Sequence, residues 1–360
     1  MENHFMKLAL NIAKSLVGQT SPNPPVGSVV VKDGEIIGIG GHFKAGEQHA
    51  EINAIKLAEM NGRNVQGSTI YITLEPCDHL GKTGSCADFL ISKGVKKVVI
   101  GSLDPNLIVN GKGIEKLRRN GIEVIVGVLK NECNMLIQEF REYITNKKPY
   151  VTLKIAMSLD GKIATHTGDS KWITSVEARK DAHKYRHRHD SILVGVNTII
   201  TDNPSLTTHQ LKGSKNPIRI ILDTNFTIPL ESKVIINGES PTWIITCVNK
   251  KVDLPSHVKV ITVKSTKDSG EVLYKLGEMG ITSILVEGGA KIFTNFYSDN
   301  NFDQLVFYMA PKIVGGKSSI NLLHYGKEIN FINESSQVFF EDVKKIGPDI
   351  KLVGKKIKGV

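Results

Sequence analysis

The chain has 360 residues, more than a single hydrophobic core usually accommodates, so its length favours two domains of ordinary size. With 40% hydrophobic and 23% charged residues, its composition is that of a globular protein and excludes a disordered one. The formal net charge of +10 is compatible with nucleic acid or phosphorylated small molecules as ligands, whereas the short apolar runs and the N-terminal residues predict neither a membrane helix nor a secretory signal.

Hydrophobic periodicity predicts an α/β layer in the first part of the chain. Apolar residues at helical spacing predict a helix from Met6 to Leu16, which ends before the proline-rich segment 18–25. Asp33-Gly34 between two apolar runs predicts a hairpin, because both residues of such a turn need a positive φ. The elements that follow alternate in type: helices over 50–60, 87–93 and after 112, and strands over 69–74, 97–100 and 123–126.

The polar segment 145–149 has no periodicity and ends in a proline, which predicts a domain boundary. We therefore divide the chain into domains of residues 1–146 and 147–360. The second domain is again α/β, with strands over 150–156, 191–194, 218–222, 242–246, 258–263 and 284–286 and helices over 176–187 and 272–279. The stretch 179–189, rich in Lys, Arg and His, is interpreted as a solvated helix face.

The strongest chemical signal is His49-Ala50-Glu51, followed after a strand by Pro76-Cys77 and then by Cys86. One imidazole and two thiolates leave the fourth tetrahedral position of Zn²⁺ open for water, which is the arrangement of a catalytic site. Zinc lowers the pKa of its bound water, and Glu51, a carboxylate outside the ligand set, can carry the proton to a leaving amine. A structural zinc staple would not need Glu51. We therefore predict one catalytic zinc ion per chain, held by reduced thiols in the cytoplasm.

Several further stretches accompany this motif, namely residues 20–27, 41–42, 78–85, 104–106 and 111–113. With them the sequence resembles the N-terminal half of the family of bifunctional riboflavin-biosynthesis deaminase/reductases. The resemblance implies a cytidine-deaminase-like three-layer domain in which the zinc ligands are His49, Cys77 and Cys86 and the general acid/base is Glu51. It also implies substrate-binding roles for Asn23, His42, His79 and Lys82. The chain departs from the family at Gly84-Ser85, where two prolines usually precede the second cysteine.

A glycine turn, Glu287-Gly288-Gly289-Ala290, follows the apolar strand 284–286 and precedes a helix, so its backbone N–H groups are placed to bind a phosphate. The turn is not the Gly-x-Gly-x-x-Gly fingerprint, and an ordinary tight turn explains it equally well. The second half nevertheless resembles the reductase half of the same family over residues 158–161, 170–174, 195–198, 202–206, 219–223, 286–289 and 310–312. The resemblance implies a dihydrofolate-reductase-like α/β domain that uses NADPH.

The same resemblance implies roles for single residues of this half. The NADPH side comprises Ala156, Trp172, Thr198, Asp202, Gly288, Gly289 and Ala290. The substrate side comprises Ser170, Arg186, Leu206, His209 and Glu287. Lys154 assists proton delivery, with Glu287 as its partner. His209 stands where the family carries a phosphate-binding arginine, and because a neutral imidazole is a poorer phosphate partner than a guanidinium, either Arg186 carries the phosphate or His209 binds it as the cation.

Together these features imply a bifunctional enzyme of riboflavin biosynthesis. The first half would remove the 2-amino group of 2,5-diamino-6-(5-phosphoribosylamino)pyrimidin-4(3H)-one as ammonia, and the second would reduce the ribosyl group to ribityl with NADPH. The alternatives are a nucleic-acid or nucleobase deaminase with a fused accessory nucleotide-binding domain, and a zinc-stabilised regulatory protein without catalysis. We expect phosphorylated small molecules as partners, neither nucleic acid nor membrane, and a homo-oligomer.

Overall fold

The protein is described by a computed structural model for residues 2–78, 84–106, 109–209, 211, 213–323, 325–326 and 328–356. The chain divides into two compact units, Met1–Lys147 and Lys148–Val360. Among the described residues, no helix is both long enough and apolar enough to cross a bilayer. This division falls one residue after the boundary that the sequence predicts at residue 146. The activity assigned to each domain stays a prediction.

The first unit is built on a five-stranded sheet of order β2-β1-β3-β4-β5. Strand β1 is antiparallel to β2 and β3, whereas β3, β4 and β5 are parallel. The predicted hairpin turn is confirmed, since φ is 51° at Asp33 and 83° at Gly34. The elements are α1 (Glu2–Ser15), β1 (Gly27–Lys32), β2 (Glu35–Gly41), α2 (Ala50–Met60), β3 (Thr69–Leu74), α3 (Cys86–Ser92), β4 (Lys97–Ser102), α4 (Lys112–Arg119), β5 (Glu123–Val126), α5 (Lys130–Leu136) and α6 (Gln138–Asn146).

This sheet lies between two helical layers, which confirms the predicted three-layer architecture. Because successive strand residues point to opposite faces, Val30 packs with α2, α3 and α4, whereas Val29 packs with α1 and α5. Helix α2 lies very close to the hairpin: a Cβ atom on Gly40 would be 2.3 Å from the carbonyl oxygen of Ala50. Glycine at this position therefore lets the first turn of α2 approach the sheet, and this turn carries the predicted zinc ligand and acid/base.

The second unit contains a nine-stranded sheet of order β11-β10-β9-β8-β12-β6-β13-β16-β15. The strands from β11 to β13 are parallel, and β16 and β15 are antiparallel. The elements are β6 (Tyr150–Ser158), β7 (Lys162–Ala164), α7 (Val176–Arg188), β8 (Ser191–Gly195), α8 (Val196–Asp202), β9 (Ile218–Leu222), α9 (Lys233–Ile236), β10 (Thr242–Thr246), β11 (Val258–Thr262), α10 (Ser269–Glu278), β12 (Ser283–Val286), α11 (Ala290–Ser298), β13 (Gln304–Ala310), β14 (Ile320–Asn321), β15 (Val338–Ile346) and β16 (Asp349–Lys356).

Helices cover both faces of this sheet. Leu193 packs with Leu273 of α10 and Phe293 of α11 on one face, and Val194 packs with Ile199 of α8 on the other. The sequence analysis missed β7, α8, α9 and all strands after β12. Most of these elements are short, and β15 lies at the sheet edge with residues of both faces exposed, so the period-two alternation that marks a half-buried strand is absent there.

Candidate functional site

The predicted zinc ligands converge at the N-terminal ends of two helices. His49 precedes the first residue of α2, Cys77 follows β3, and Cys86 is the first residue of α3. The Nδ1 atom of His49 lies 3.0 Å from the Sγ atom of Cys86 and 3.7 Å from that of Cys77, and the two sulfur atoms are 3.2 Å apart. Residues separated by 37 positions thus present one nitrogen and two sulfur atoms to a common point.

This donor set fits Zn²⁺. Ordinary Zn–S and Zn–N bond lengths with tetrahedral angles require donors about 3.5–3.8 Å apart, and the three separations agree with this to within about 0.6 Å. The hydrogen bond between the two thiols lowers the pKa of Cys77 and raises that of Cys86, so Cys77 is the thiolate of the pair before a metal binds. Three protein ligands leave a fourth tetrahedral position for water.

Glu51 lies in the first turn of α2, two residues after His49, and is only 3% exposed. Burial raises the pKa of its carboxyl group, while the neighbouring His49 opposes this shift. A carboxyl group whose pKa is raised toward neutrality can both accept and return a proton. Glu51, His49 and Cys77 line the same cavity of about 280 Å³.

Asn23 and His42 line this cavity too and contact each other. The Nδ1 atom of His42 lies 3.1 Å from the carbonyl oxygen of Gln48, and its Nε2 atom lies 3.0 Å from the amide nitrogen of Asn23. The carbonyl can only accept, so Nδ1 carries the proton and Nε2 accepts from the amide of Asn23. Burial lowers the pKa of His42, consistent with this neutral form. The predicted substrate ligands His79 and Lys82 lie outside the described residues.

Other residues line this cavity as well, and the sequence analysis gave them no role. Phe140 and Ile144 of α6 form an apolar side, and Glu75 forms part of the polar side. The Oε2 atom of Glu75 accepts hydrogen bonds from the backbone N–H groups of Asp104 (3.3 Å) and Gly111 (3.1 Å), and burial raises the pKa of this carboxyl group. Glu75 thus ties the zinc motif to the segments containing residues 104–106 and 111–113, which the sequence analysis quoted only as matching stretches.

In the second unit the structure brings Lys154, Arg186 and Glu287 together. The guanidinium of Arg186 donates two hydrogen bonds of 2.9 Å to the carboxylate of Glu287 and one of 3.0 Å to the carbonyl of Thr207. The Nζ atom of Lys154 lies 3.7 Å from the same carboxylate. The side chain of Glu287 is 11% exposed, and these two cations hold its pKa well below the ordinary value against the opposing effect of burial. The cluster is therefore a charged triad in a largely dry environment.

A separate cavity of about 620 Å³ in this unit is lined by predicted cofactor and substrate residues: Ser170, Thr198, Gly289 and Ala290. Its walls also include Asp223, Thr224 and Asn225 after β9, and Tyr325, none of which the sequence analysis selected as site residues. Gly288 lies beside it in a close turn, since a Cβ atom on Gly288 would be 2.6 Å from the Cβ atom of Ile292. The first turn of α11 faces this cavity, and because the first N–H groups of a helix have no intrahelical partner, this end suits a dinucleotide phosphate.

The other predicted residues of this half are distributed around these features. Trp172 is 62% exposed, and the Arg179 guanidinium lies 4.3 Å from its ring centroid. Asp202 pairs with Lys171 at 2.6 Å. Leu206 is buried in the core and has a positive φ of 53°. His209 lies 3.3 Å from the hydroxyl of Thr207, and Ala156 lies in β6.

Two family models match the chain: the RibD C-terminal domain over residues 149–352, and the cytidine and deoxycytidylate deaminase zinc-binding region over residues 1–102. The riboflavin biosynthesis protein RibD of Aquifex aeolicus is 45% identical over 359 residues, which cover 99% of each chain. The RibD protein of Escherichia coli is 35% identical over 367 residues, with 98% of each chain covered.

Solved structures agree with these matches over the full length. A diaminohydroxyphosphoribosylaminopyrimidine deaminase/5-amino-6-(5-phosphoribosylamino)uracil reductase of Thermotoga maritima superposes with a TM-score of 0.91 at 39% identity, covering 99% of both chains. Acinetobacter baumannii RibD superposes with a TM-score of 0.90 at 33% identity, again over 99% of both chains.

Proposed function

The chain belongs to the RibD family of bifunctional riboflavin biosynthesis enzymes, which combine a zinc-binding deaminase with a reductase, and we propose which residues perform each reaction. Residues 1–146 deaminate 2,5-diamino-6-(5-phosphoribosylamino)pyrimidin-4(3H)-one. Residues 147–360 reduce the deaminated product with NADPH to 5-amino-6-(5-phosphoribitylamino)uracil. The observation that carries this proposal is the convergence of His49, Cys77 and Cys86 at the edge of a cavity that His49, Cys77 and the buried Glu51 line.

In the deaminase, His49, Cys77 and Cys86 hold the zinc ion, which supplies a hydroxide at neutral pH when it is bound. Glu51 accepts the proton of the attacking water and passes it to the amino group at C2, which leaves as ammonia while the C2–O bond replaces the C2–N bond. Asn23 and His42 hold the pyrimidine through their amide and imidazole groups, and His79 and Lys82 belong to the same substrate site.

In the reductase, NADPH supplies a hydride and occupies the 620 Å³ cavity. The cofactor side comprises Ala156, Trp172, Thr198, Asp202, Gly288, Gly289 and Ala290. Lys154 delivers the proton to the ribose ring oxygen while C1′ accepts the hydride, so the ring opens to the ribityl chain. Glu287 orients Lys154 through its carboxylate, which Arg186 holds in place. Ser170, Arg186, Leu206, His209 and Glu287 form the substrate side, with the phosphate toward Arg186 and His209.

The order of the two reactions gives a direct test. Ammonia release from the diamino substrate is expected without NADPH, and NADPH oxidation is expected only after deamination. Removal of zinc by a chelator should abolish ammonia release and leave the reduction of pre-deaminated substrate intact, because the two sites share no residues. Ammonia release from cytidine or RNA, with none from the diamino substrate, would instead support the nucleic-acid or nucleobase deaminase alternative.

We also propose a homo-oligomer in the cytoplasm. Strand β15 is the outer strand of the nine-stranded sheet, and it exposes Phe339, Phe340 and Val343, each more than half accessible to solvent. An exposed apolar edge strand favours pairing with a second copy of the chain. Sedimentation of wild type and of Phe339→Lys tests this assignment, and an unchanged oligomer in the variant would contradict it. The reducing cytoplasm suits zinc ligation by Cys77 and Cys86 as thiolates.

A further inference from the structure

Helix α7 directs several polar side chains toward the charged triad of Lys154, Arg186 and Glu287. Arg179, His183 and Arg186 are spaced by four and three positions, so they lie on one face of the helix. Arg186 binds Glu287, and His183 lies one turn before it with its ring edge-to-face against His209, at a centroid distance of 4.7 Å. The sequence analysis interpreted this stretch as a solvated face, whereas this part of it is turned toward buried charge.

His183 is buried, and one of its two ring nitrogens has no hydrogen-bond partner among the described residues. It is 6% exposed, and its Nδ1 atom has no hydrogen-bond partner within the part of the chain that the structure describes. His189 at the end of the same helix is the opposite case: Nδ1 contacts the carbonyl of Tyr185 and Nε2 contacts the hydroxyl of Thr152, both at 2.8 Å. Because burial of an unpaired polar atom opposes folding, such atoms call for a partner that arrives later, such as a ligand.

The charges around His183 define what kind of group it can bind. Burial, together with the charges of Arg186, His209 and Lys154, lowers its pKa to about 4, and only Glu287 opposes this shift. His183 is therefore a neutral imidazole at physiological pH, with one donor and one acceptor nitrogen. A neutral imidazole is a poor partner for a phosphate but a good partner for a hydroxyl group, which both donates and accepts.

We propose that His183 is a substrate-binding residue of the reductase, which hydrogen-bonds a hydroxyl group of the ribosyl moiety next to Lys154 and Glu287. This inference rests on the reductase activity proposed above, whose substrate carries such hydroxyl groups. The residue is thus a determinant of sugar recognition that lies beside His209 and Arg186, which are assigned to the phosphate.

The test compares His183→Leu with the matched control His189→Leu. Leucine at 183 removes an unpaired buried nitrogen, so the melting temperature of the free protein should stay equal or rise, while the KM for the deaminated substrate should rise about ten-fold, or ~1.4 kcal/mol. Leucine at 189 removes two side-chain hydrogen bonds and leaves the buried hydroxyl of Thr152 without the imidazole, so it should lower the melting temperature and leave this KM unchanged. His183→Asn keeps a polar group near the position of Nδ1 and should raise KM less than His183→Leu.

Analogues of the substrate test the hydroxyl contact. The KM penalty of His183→Leu should disappear for whichever of the 2′-deoxy and 3′-deoxy analogues lacks the bound hydroxyl. A lower melting temperature for His183→Leu with an unchanged KM would show a structural role and overturn the proposal, as would the same penalty with all three substrates. If wild type fails to oxidise NADPH with the deaminated substrate, the reductase assignment falls and the role of His183 falls with it.

Discussion

The ion pair between Arg186 and Glu287 makes a quantitative prediction about stability. Arg186→Met keeps much of the aliphatic packing but leaves the buried Glu287 carboxylate with only Lys154, whose Nζ atom is 3.7 Å away. Breaking a buried, hydrogen-bonded ion pair by removal of one partner costs about 3–5 kcal/mol, mainly because a buried charge loses its compensation. For a unit of this size, 1 kcal/mol shifts the melting temperature by roughly 2–4 °C, so the expected loss is roughly 6–20 °C.

The assay is scanning calorimetry at neutral pH, together with NADPH oxidation, which should be strongly reduced. Lys184→Met is the matched control, because Lys184 lies on the same helix and pairs with Asp181, but its side chain is 67% exposed. Asp181 is 9% exposed but keeps Lys351 as a partner at 2.7 Å, so loss of the exposed Lys184 costs ~1 kcal/mol at most. A melting temperature of Arg186→Met within 2 °C of that of the control would refute the reasoning, since the buried pair predicts a loss larger than that of the control by at least about 2 kcal/mol, or roughly 4 °C.

The Arg186–Glu287 ion pair also predicts how the difference in unfolding free energy between wild type and Arg186→Met depends on pH. The folded-state pKa of Glu287 is lowered, so the stability that it contributes is complete above its unfolded-state pKa of about 4.3 and is lost as the pH falls through the folded-state value. Arg186→Met moves the folded-state pKa upward and removes this contribution at neutral pH. The stability difference between wild type and variant should therefore be largest near neutral pH and should shrink below about pH 4.3, as urea titrations at several pH values would measure.

Three further variants test other parts of the molecule. Glu51→Gln should retain zinc by metal analysis and lose at least about a hundred-fold in deamination, and wild-type ammonia release would contradict the proton-shuttle role. Gly288→Ala should lower the melting temperature and raise the KM for NADPH, because its Cβ atom would lie 2.6 Å from that of Ile292, whereas Gly289→Ala meets nothing within 4 Å and should leave the melting temperature unchanged. His209→Arg should lower the KM for the phosphorylated substrate with little change for NADPH, and equal KM values would mean that Arg186 alone binds the phosphate.

Much of the chemistry of the deaminase half could be predicted from the sequence, because its signals are local. His49 and Glu51 fall within one helical turn, and Cys77 follows a strand whose hydrophobic pattern is unambiguous. The Asp33-Gly34 turn likewise specifies its own conformation, since it needs only two residues that tolerate positive φ. Local rules of this kind depend on neighbours in the chain and not on the remainder of the fold.

The ion pair between Arg186 and Glu287 was decided only by tertiary structure. Arg186 and Glu287 are separated by 101 positions, and no local pattern distinguishes this arginine from the other cations of α7. The burial of His183 beside His209 likewise depends on how α7 packs, which is why the stretch 179–189 was interpreted as solvated. Hydrophobic periodicity identifies helices and strands, but the partner of a buried charge is selected by long-range packing in a low-dielectric interior, where an unpaired charge is costly.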